Sequence, residues 1–255
     1  MKERRGIGLM RAGAVPLALI LILWVTASGQ AASPDIVISQ VYGGGGNAGA
    51  TYTHDFIELY NRGSTPVDVT GWSVQYAAAT SGSWSKTAIT GTIEPGHYFL
   101  IQEASGGANG ISLPTPNITG SIAMAATAGK VALVTDRTSL ACGATADDCL
   151  PNATIRDFVG YGSTANNHEG ATPTANLSAT NAARRSGANN ADTDENGTDF
   201  AVQTPSPHNS FTPTAVTLAH LAAAPAVSRW GNGIALVGMA GAVVAGFTWQ
   251  RRRGA

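Results

Sequence analysis

Asp55-Phe56-Ile57-Glu58-Leu59-Tyr60-Asn61, followed ten residues later by Gly71-Trp72-Ser73-Val74, decides the fold of this chain. The first stretch is typical of a strand that enters a turn at Asn61-Arg62-Gly63. The second stretch predicts the start of the next strand, with a tryptophan to bury. Stretches of the same kind recur through the middle of the chain, and no window there has a sustained helical period.

Eight or nine short strands account for residues 33–210. We predict them at 36–42, 56–60, 67–76, 84–93, 98–101, 122–126, 130–135, 155–161 and 200–202. The sixth and seventh flank Gly129 in the manner of a hairpin, whereas residues 163–190 have few apolar side chains and are predicted to form a long loop that is mobile in part. Short strands with regular turns predict an all-β, immunoglobulin-like antiparallel sandwich.

The amino-terminal segment has the pattern of a secretory signal peptide. A basic head is followed by an apolar run at residues 14–25, and then by the small residues Gly29 and Ala31, which are two apart. This pattern predicts cleavage just after Ala31 or Ala32, so residues 1–32 are assigned to the signal peptide. An uncleaved amino-terminal anchor is the alternative.

A second apolar segment, at residues 233–249, predicts a single transmembrane helix. It ends in Arg251-Arg252-Arg253, a cluster that is expected to stay in the cytoplasm and to leave the bulk of the chain outside. Residues 224–231 resemble bacterial sorting tags of consensus I-P-T-L-S-E-W-G. We therefore predict a membrane anchor or sorting tail at 230–255, which processing could remove, and an extended Pro/Ala/Thr linker at 211–229.

The charge of the chain argues against one class of partner. The net charge is −1, but eight of the fifteen basic residues lie in the two terminal segments. Between residues 33 and 210, seven basic residues face fifteen acidic ones, a net charge of about −8. Nucleic-acid binding requires a basic surface that displaces counterions from phosphates. We therefore expect no nucleic acid among the partners.

The two cysteines, Cys142 and Cys149, agree with export. They lie close together in a Gly-rich segment between predicted strands, which suits a disulfide that clamps a loop. Their spacing does not fit the usual metal-binding pairs. Free thiols are the alternative, and a bridge over so short a loop is expected to add modest stability.

Six segments in order resemble the lamin tail domain, a small immunoglobulin-like β-sandwich found in nuclear lamins and in many secreted bacterial proteins. The resemblance covers residues 35–210, in segments 55–61, 71–72, 93–101, 129–134, 157–162 and 192–209. Its fold-signature residues are Asp55, Glu58, Asn61, Gly71 and Trp72. Bacterial members often accompany secreted nuclease, phosphatase or other hydrolase domains, and the resemblance implies an adaptor or tether rather than an enzyme.

One segment matches the first half of a calcium-binding loop. Asp192, Asp194, Asn196 and Asp199 place oxygen donors at the expected spacing, with Gly197 at the turn. The bidentate glutamate of such loops is replaced by Gln203. A turn rich in Asp and Asn before the last strand explains the same residues without an ion. Calcium binding therefore stays an open hypothesis, and no other cofactor is predicted.

No residue pattern predicts a catalytic site. Asp55 and Glu58 are three apart on a strand and so point to opposite faces, with Glu58 meeting a turn amide. The histidines lack the spacing of a zinc site. We therefore predict a non-catalytic adhesion or scaffolding module on the cell surface, which binds an extracellular protein or a cell-envelope glycan. The alternative is an accessory or tethering partner of a secreted hydrolase.

Overall fold

The computed structural model describes residues 33–210, and within that range the chain is almost entirely strands and loops. The strands are β1 (Ile36–Tyr42), β2 (Phe56–Asn61), β3 (Val67–Asp68), β4 (Ser73–Ala78), β5 (Ser85–Ala88), β6 (Thr92–Ile93), β7 (Tyr98–Gln102), β8 (Ile118–Thr119), β9 (Gly129–Val134), β10 (Ile155–Tyr161), β11 (Ala182–Arg185) and β12 (Phe200–Gln203). A single turn of helix, α1 (Asn196–Asp199), precedes the last strand.

The strands form two large sheets and one small one. The six-stranded sheet has the order β12-β11-β1-β2-β7-β8, the four-stranded sheet the order β10-β9-β4-β5, and β3 pairs with β6. The pairings are antiparallel except that of β7 with β8, which is parallel. Side chains from both large sheets form one core, which includes Ile57, Leu59, Val74 and Val131. This is the predicted all-β sandwich.

Loops cover the outer faces of the sheets, so the central strands are buried on both sides. Outside the four-stranded sheet, Phe158 and Val134 pack beneath the loop that contains Cys149. Outside the six-stranded sheet, Tyr42 and Phe56 form a separate apolar cluster with Leu100 and Ala182. The continuous apolar run at 131–134 in β9 agrees with this double burial, because a strand covered on both faces has no solvent-exposed side.

Three strand predictions need correction. The predicted strand at 67–76 is divided into β3 and β4 by a turn at Thr70-Gly71, and the one at 84–93 is divided into β5 and β6. Residues 122–126 form no regular strand, so the predicted hairpin around Gly129 is wrong. Its second half, β9, instead lies between β4 and β10, because it can bury both of its faces there.

Residues 163–190 are more ordered than their composition predicts. They contain β11, which pairs with both β1 and β12. Several polar side chains in this segment are buried, among them Asn167, Glu169 and Thr174. Buried hydrogen bonds therefore hold a segment that has few apolar contacts to offer.

The predicted signal peptide, linker, transmembrane helix and sorting tail all lie outside the described residues. Within residues 33–210, no helix is long and apolar enough to cross a bilayer.

Candidate functional site

Asp55 is a structural residue just before β2. Its two carboxylate oxygens accept the backbone N–H groups of Gly45 (2.8 Å) and Met124 (2.9 Å). Only 3% of the residue is exposed. Burial raises the pKa of Asp55 to about 6, while the two N–H donors act in the opposite direction. The side chain thus fastens the Gly-rich loop 43–46 to the segment before β9.

Asn61 and Gly71 each fix a turn. The amide of Asn61 donates to the carbonyls of Thr65 (2.9 Å) and Ile93 (2.7 Å), and its oxygen accepts the N–H of Gly63 (2.9 Å). Gly71 has a φ of +97°, a backbone conformation that glycine adopts at little cost. The two residues therefore belong to the fold signature for conformational reasons.

Trp72 differs from its expected position. It lies in the turn before β4 rather than within a strand, and it is only partly buried against the main core. It remains a packing residue at the margin of the sandwich.

Glu58 points to the outer face of the six-stranded sheet, away from the core. Its carboxylate accepts the hydroxyl of Ser39 (2.6 Å) and the backbone N–H of His208 (2.5 Å), and the His208 Nδ1 atom lies 3.2 Å away. Glu58 therefore meets a backbone amide, but that amide lies in the irregular segment after β12 rather than in a turn. Since Asp55 binds different groups, the two carboxylates do not form an acid–base pair.

A small pocket opens beside Glu58. We call it the Glu58 pocket; its volume is about 200 Å³, and its walls include Glu58, Tyr60, Tyr98, Arg184, Asn189 and His208. The rings of Tyr60 and Tyr98 are 4.7 Å apart, and the His208 imidazole stacks on Tyr98 at 4.6 Å. The pocket thus combines aromatic surface with amide, guanidinium and carboxylate groups.

The rim of the Glu58 pocket is built by a loop in an unusual conformation. Asn189 and Asn190 have φ values of 54° and 49°, a region that asparagine enters more readily than most residues. Asn189 accepts the Tyr60 hydroxyl at 2.8 Å and donates to the carbonyl of Arg62 at 3.0 Å. These bonds place the Asn189 side chain at the pocket.

The predicted calcium loop lies at a second polar site, which we call the Arg185 cluster. The guanidinium of Arg185 contacts Asp192 (2.9 Å), Asp199 (3.1 Å) and Asp157 (2.9 Å), and all four side chains are at most 6% exposed. The Nε atom also donates to the carbonyl of Ile38 at 3.1 Å. The guanidinium of Arg185 therefore lies among these carboxylates, in the position that a metal ion would need.

The remaining predicted calcium ligands are also engaged or remote. Asn196 accepts the N–H groups of Gly160 (2.8 Å) and Glu169 (3.1 Å), and its amide donates to the carbonyl of Phe158 (2.9 Å). Asp194 lies half-buried at the margin. Calcium takes roughly six to eight oxygen ligands, and this donor set fits a guanidinium better. The calcium hypothesis gains no support from the geometry.

The Arg185 cluster carries more acid than base. The carboxylate oxygens of Asp157, Glu169 and Asp192 lie within 4.8 Å of one another, and all three residues are buried. Burial raises the pKa of Glu169 well above its usual value, and the charges of Asp157 and Asp192 add to the effect. Burial likewise raises the pKa of Asp194 to about 6. The cluster joins the two sheets through β1, β10 and β11.

The disulfide prediction is confirmed. Cys142 and Cys149 are bonded to each other. Beneath their loop, the buried ammonium of Lys130 donates to the carbonyls of Ser81 (3.0 Å) and Gly143 (2.6 Å) and to the side chain of Asn166 (2.7 Å). The loop is therefore held by a covalent bond and by a buried cation.

Sequence reasoning missed most of the Glu58 pocket. Arg184 and Asn189 lie in the segment predicted as a loop, and His208 is 150 residues from its partner Glu58. A signal that could have indicated this face is the spacing of Glu58 and Tyr60, which are two apart on β2 and therefore lie on the same side of the sheet. The distant residues carry no local signal.

The comparisons with known proteins bear on the fold. The family model of the lamin tail domain matches residues 29–251. A crystal structure of a DUF4876 family protein from Bacteroides thetaiotaomicron is 13% identical, with a TM-score of 0.32 over 50% of this chain and 54% of that one. The chain thus spans about half the length of that structure. No curated protein matches the sequence significantly.

Proposed function

This chain belongs to the lamin tail domain family, and from that premise we propose that it is a non-catalytic, surface-displayed adhesion module that binds a cell-envelope glycan. The family indicates a non-catalytic β domain. The observation that carries the proposal is the Glu58 pocket, a concave site on the outer face of the six-stranded sheet. The ligand class follows from the chemistry of its walls.

The walls suit a sugar. Tyr60 is almost fully buried, but Tyr98 is half-buried, and its ring offers an apolar surface with a polar edge that can pack against the C–H face of a sugar. Asn189, Asn190 and Arg184 supply amide and guanidinium donors for hydroxyl groups. The volume of about 200 Å³ lies below the roughly 300–1,000 Å³ of pockets for drug-sized ligands. The pocket therefore fits a single sugar unit, such as the end of a glycan chain.

Display outside the cell forms part of the proposal. The disulfide agrees with an oxidising compartment. The apolar segment at 233–249 and its arginine cluster would hold the module at the membrane, unless tail processing releases it. The acidic excess of residues 33–210 favours a neutral or basic partner over a polyanion.

The test is binding of the full chain to two fractions of the source envelope. One fraction is protein-depleted glycan, and the other is detergent-extracted protein. We expect retention on the glycan fraction. Tyr98→Ala should lower the affinity for the glycan at least tenfold, which corresponds to a loss of roughly 1.4 kcal/mol in binding free energy. Ile111→Ala is the matched control, because Ile111 is 65% exposed and is not among the residues that line the pocket.

Each outcome separates the proposal from its rival. Glycan binding that Tyr98→Ala weakens and Ile111→Ala leaves unchanged supports the proposal. Capture of a secreted hydrolase without glycan binding favours the tethering function instead. Glycan binding that is equal in both variants removes the Glu58 pocket from the interface.

A further inference from the structure

The nitrogen of Ser33 lies against the Arg185 cluster. It is 2.7 Å from Asp192 Oδ2, and the residue is only 2% exposed. The Ser33 hydroxyl is within hydrogen-bond distance of the carbonyls of Ile36 (2.9 Å) and Arg156 (2.8 Å). The backbone carbonyl of Ser33 accepts Arg62 Nη1 at 3.3 Å. Ser33 is therefore fixed on three sides, with its nitrogen directed at a carboxylate.

The carboxylate that Ser33 meets belongs to a cluster with too little positive charge. Asp157, Asp192 and Asp199 share the single guanidinium of Arg185, and Glu169 lies beside them. The nearby Arg156 is paired with Asp35. Burying an unbalanced charge is unfavourable, so a second cation at this position would stabilise the folded state.

The sequence places a processing boundary at one of two adjacent peptide bonds next to Ser33. The signal-peptide pattern predicts cleavage after Ala31 or Ala32, and cleavage after Ala32 would make Ser33 the first residue. Its amide nitrogen would then become an α-ammonium, which is largely charged near neutral pH. Cleavage after Ala31 would instead leave Ser33 N as a neutral amide. The α-ammonium would then belong to Ala32, one residue, or about 3.8 Å, along the chain from Ser33.

We propose that signal-peptide cleavage occurs between Ala32 and Ser33, and that the α-ammonium of Ser33 forms a buried ion pair with Asp192 in the mature protein. Water hydrolyses the amide bond between Ala32 and Ser33. The oxygen of the water becomes part of the Ala32 carboxylate, and its protons go to the α-ammonium of Ser33. Processing thereby adds the second cation to the Arg185 cluster. The exported chain is more stable than its precursor for this reason. The inference does not depend on the Glu58 pocket or its ligand.

The first experiment identifies the amino terminus. The full chain is expressed in a bacterial host that exports it, and the first residue of the purified protein is determined by intact mass and amino-terminal sequencing. We expect Ser33. A first residue of Ala32, or any other, overturns the proposal without requiring a folded variant.

The second experiment measures whether the α-amine is paired. The rate of its acylation by an activated ester at constant pH is compared between the native protein and the protein in urea. A paired ammonium has a raised pKa, and one pKa unit lowers the reactive fraction about tenfold. We expect at least that degree of protection in the native state. Equal rates overturn the ion pair even where Ser33 is the first residue.

A variant connects the protection to Asp192. Asp192→Asn removes the negative charge next to Ser33, and we expect the acylation rate of the native α-amine to rise about tenfold. Asp194→Asn is the matched control, since Asp194 neighbours Asp192 but does not bind Ser33. Protection that persists in a folded Asp192→Asn protein contradicts the pairing.

Discussion

At the scale of single residues, two members of the fold signature, Asp55 and Asn61, have side chains that satisfy backbone groups. Together these two side chains bind four backbone N–H and carbonyl groups outside β2, besides the Gly63 amide. Such groups are costly to bury without a partner. The sequence Asp55–Asn61 therefore specifies the turns at both ends of β2 as well as the strand itself.

Replacing Asn61 tests this interpretation. Asn61→Ala leaves the carbonyls of Thr65 and Ile93 without their donor, and we expect the free energy of unfolding to fall by about 2–3 kcal/mol. Urea denaturation measures the change. Ser64→Ala is the control, because Ser64 is exposed in the same loop and its replacement should change stability by no more than about 0.5 kcal/mol. Equal effects of the two substitutions would contradict a structural function for Asn61.

At the scale of elements, loops in this protein contribute to the core. The loop closed by Cys142 and Cys149 covers the outer face of β9 and β10, where it packs on Val134 and Phe158. The buried Lys130 ammonium binds the same loop from below. The four-stranded sheet thereby gains a second covered face without a further layer of secondary structure.

The covalent bond of this loop has a limited effect on stability. The two cysteines are seven residues apart, and for so short a loop the entropic model gives about 2–3 kcal/mol. We expect the double variant Cys142→Ser, Cys149→Ser to lower the free energy of unfolding by that amount in urea denaturation. The wild type with a reductant should match the variant. A protein that fails to fold without the bond would show that the loop lacks other support.

At the scale of the whole molecule, buried acids make stability depend on pH. Burial raises the pKa of Glu103 to about 7 from 4.5, and the charge of Asp55 adds to the shift. The folded state therefore holds a proton that the unfolded state releases. Since the folded pKa is the higher one, stability falls as the pH rises from about 4.5 to 7, and it stays lower above that range.

Glu103→Gln removes this contribution. The glutamine keeps an acceptor for the Ile122 N–H, which lies 2.9 Å from Glu103 Oε2, but it cannot ionise. One pKa unit corresponds to about 1.4 kcal/mol, so we expect the variant to gain roughly 3 kcal/mol relative to wild type between pH 5 and pH 8. Thermal unfolding across this range measures the change, with the exposed Glu94→Gln as control. Parallel pH profiles of wild type and Glu103→Gln would contradict the shift.

The sequence by itself determined most of the strands, the sandwich and the disulfide, because these depend on local features. The strand-forming run at 56–60 and the close spacing of Cys142 and Cys149 are both legible within a few residues. The family resemblance set these local features in order. The same reasoning joined β3 to β4 and made residues 122–126 a strand, because local pattern alone does not show which apolar runs find a partner.

Only the tertiary structure decided the sites. Glu58 meets His208 across 150 residues, and Ser33 meets Asp192 across 159. The Asp and Asn residues at 192–199 have the spacing of a calcium loop, but the fold brings Arg185 among their carboxylates. Polar segments such as 163–190 become ordered through buried hydrogen bonds whose partners lie elsewhere in the chain. Such pairings follow from the packing of two sheets, which no short stretch of sequence encodes.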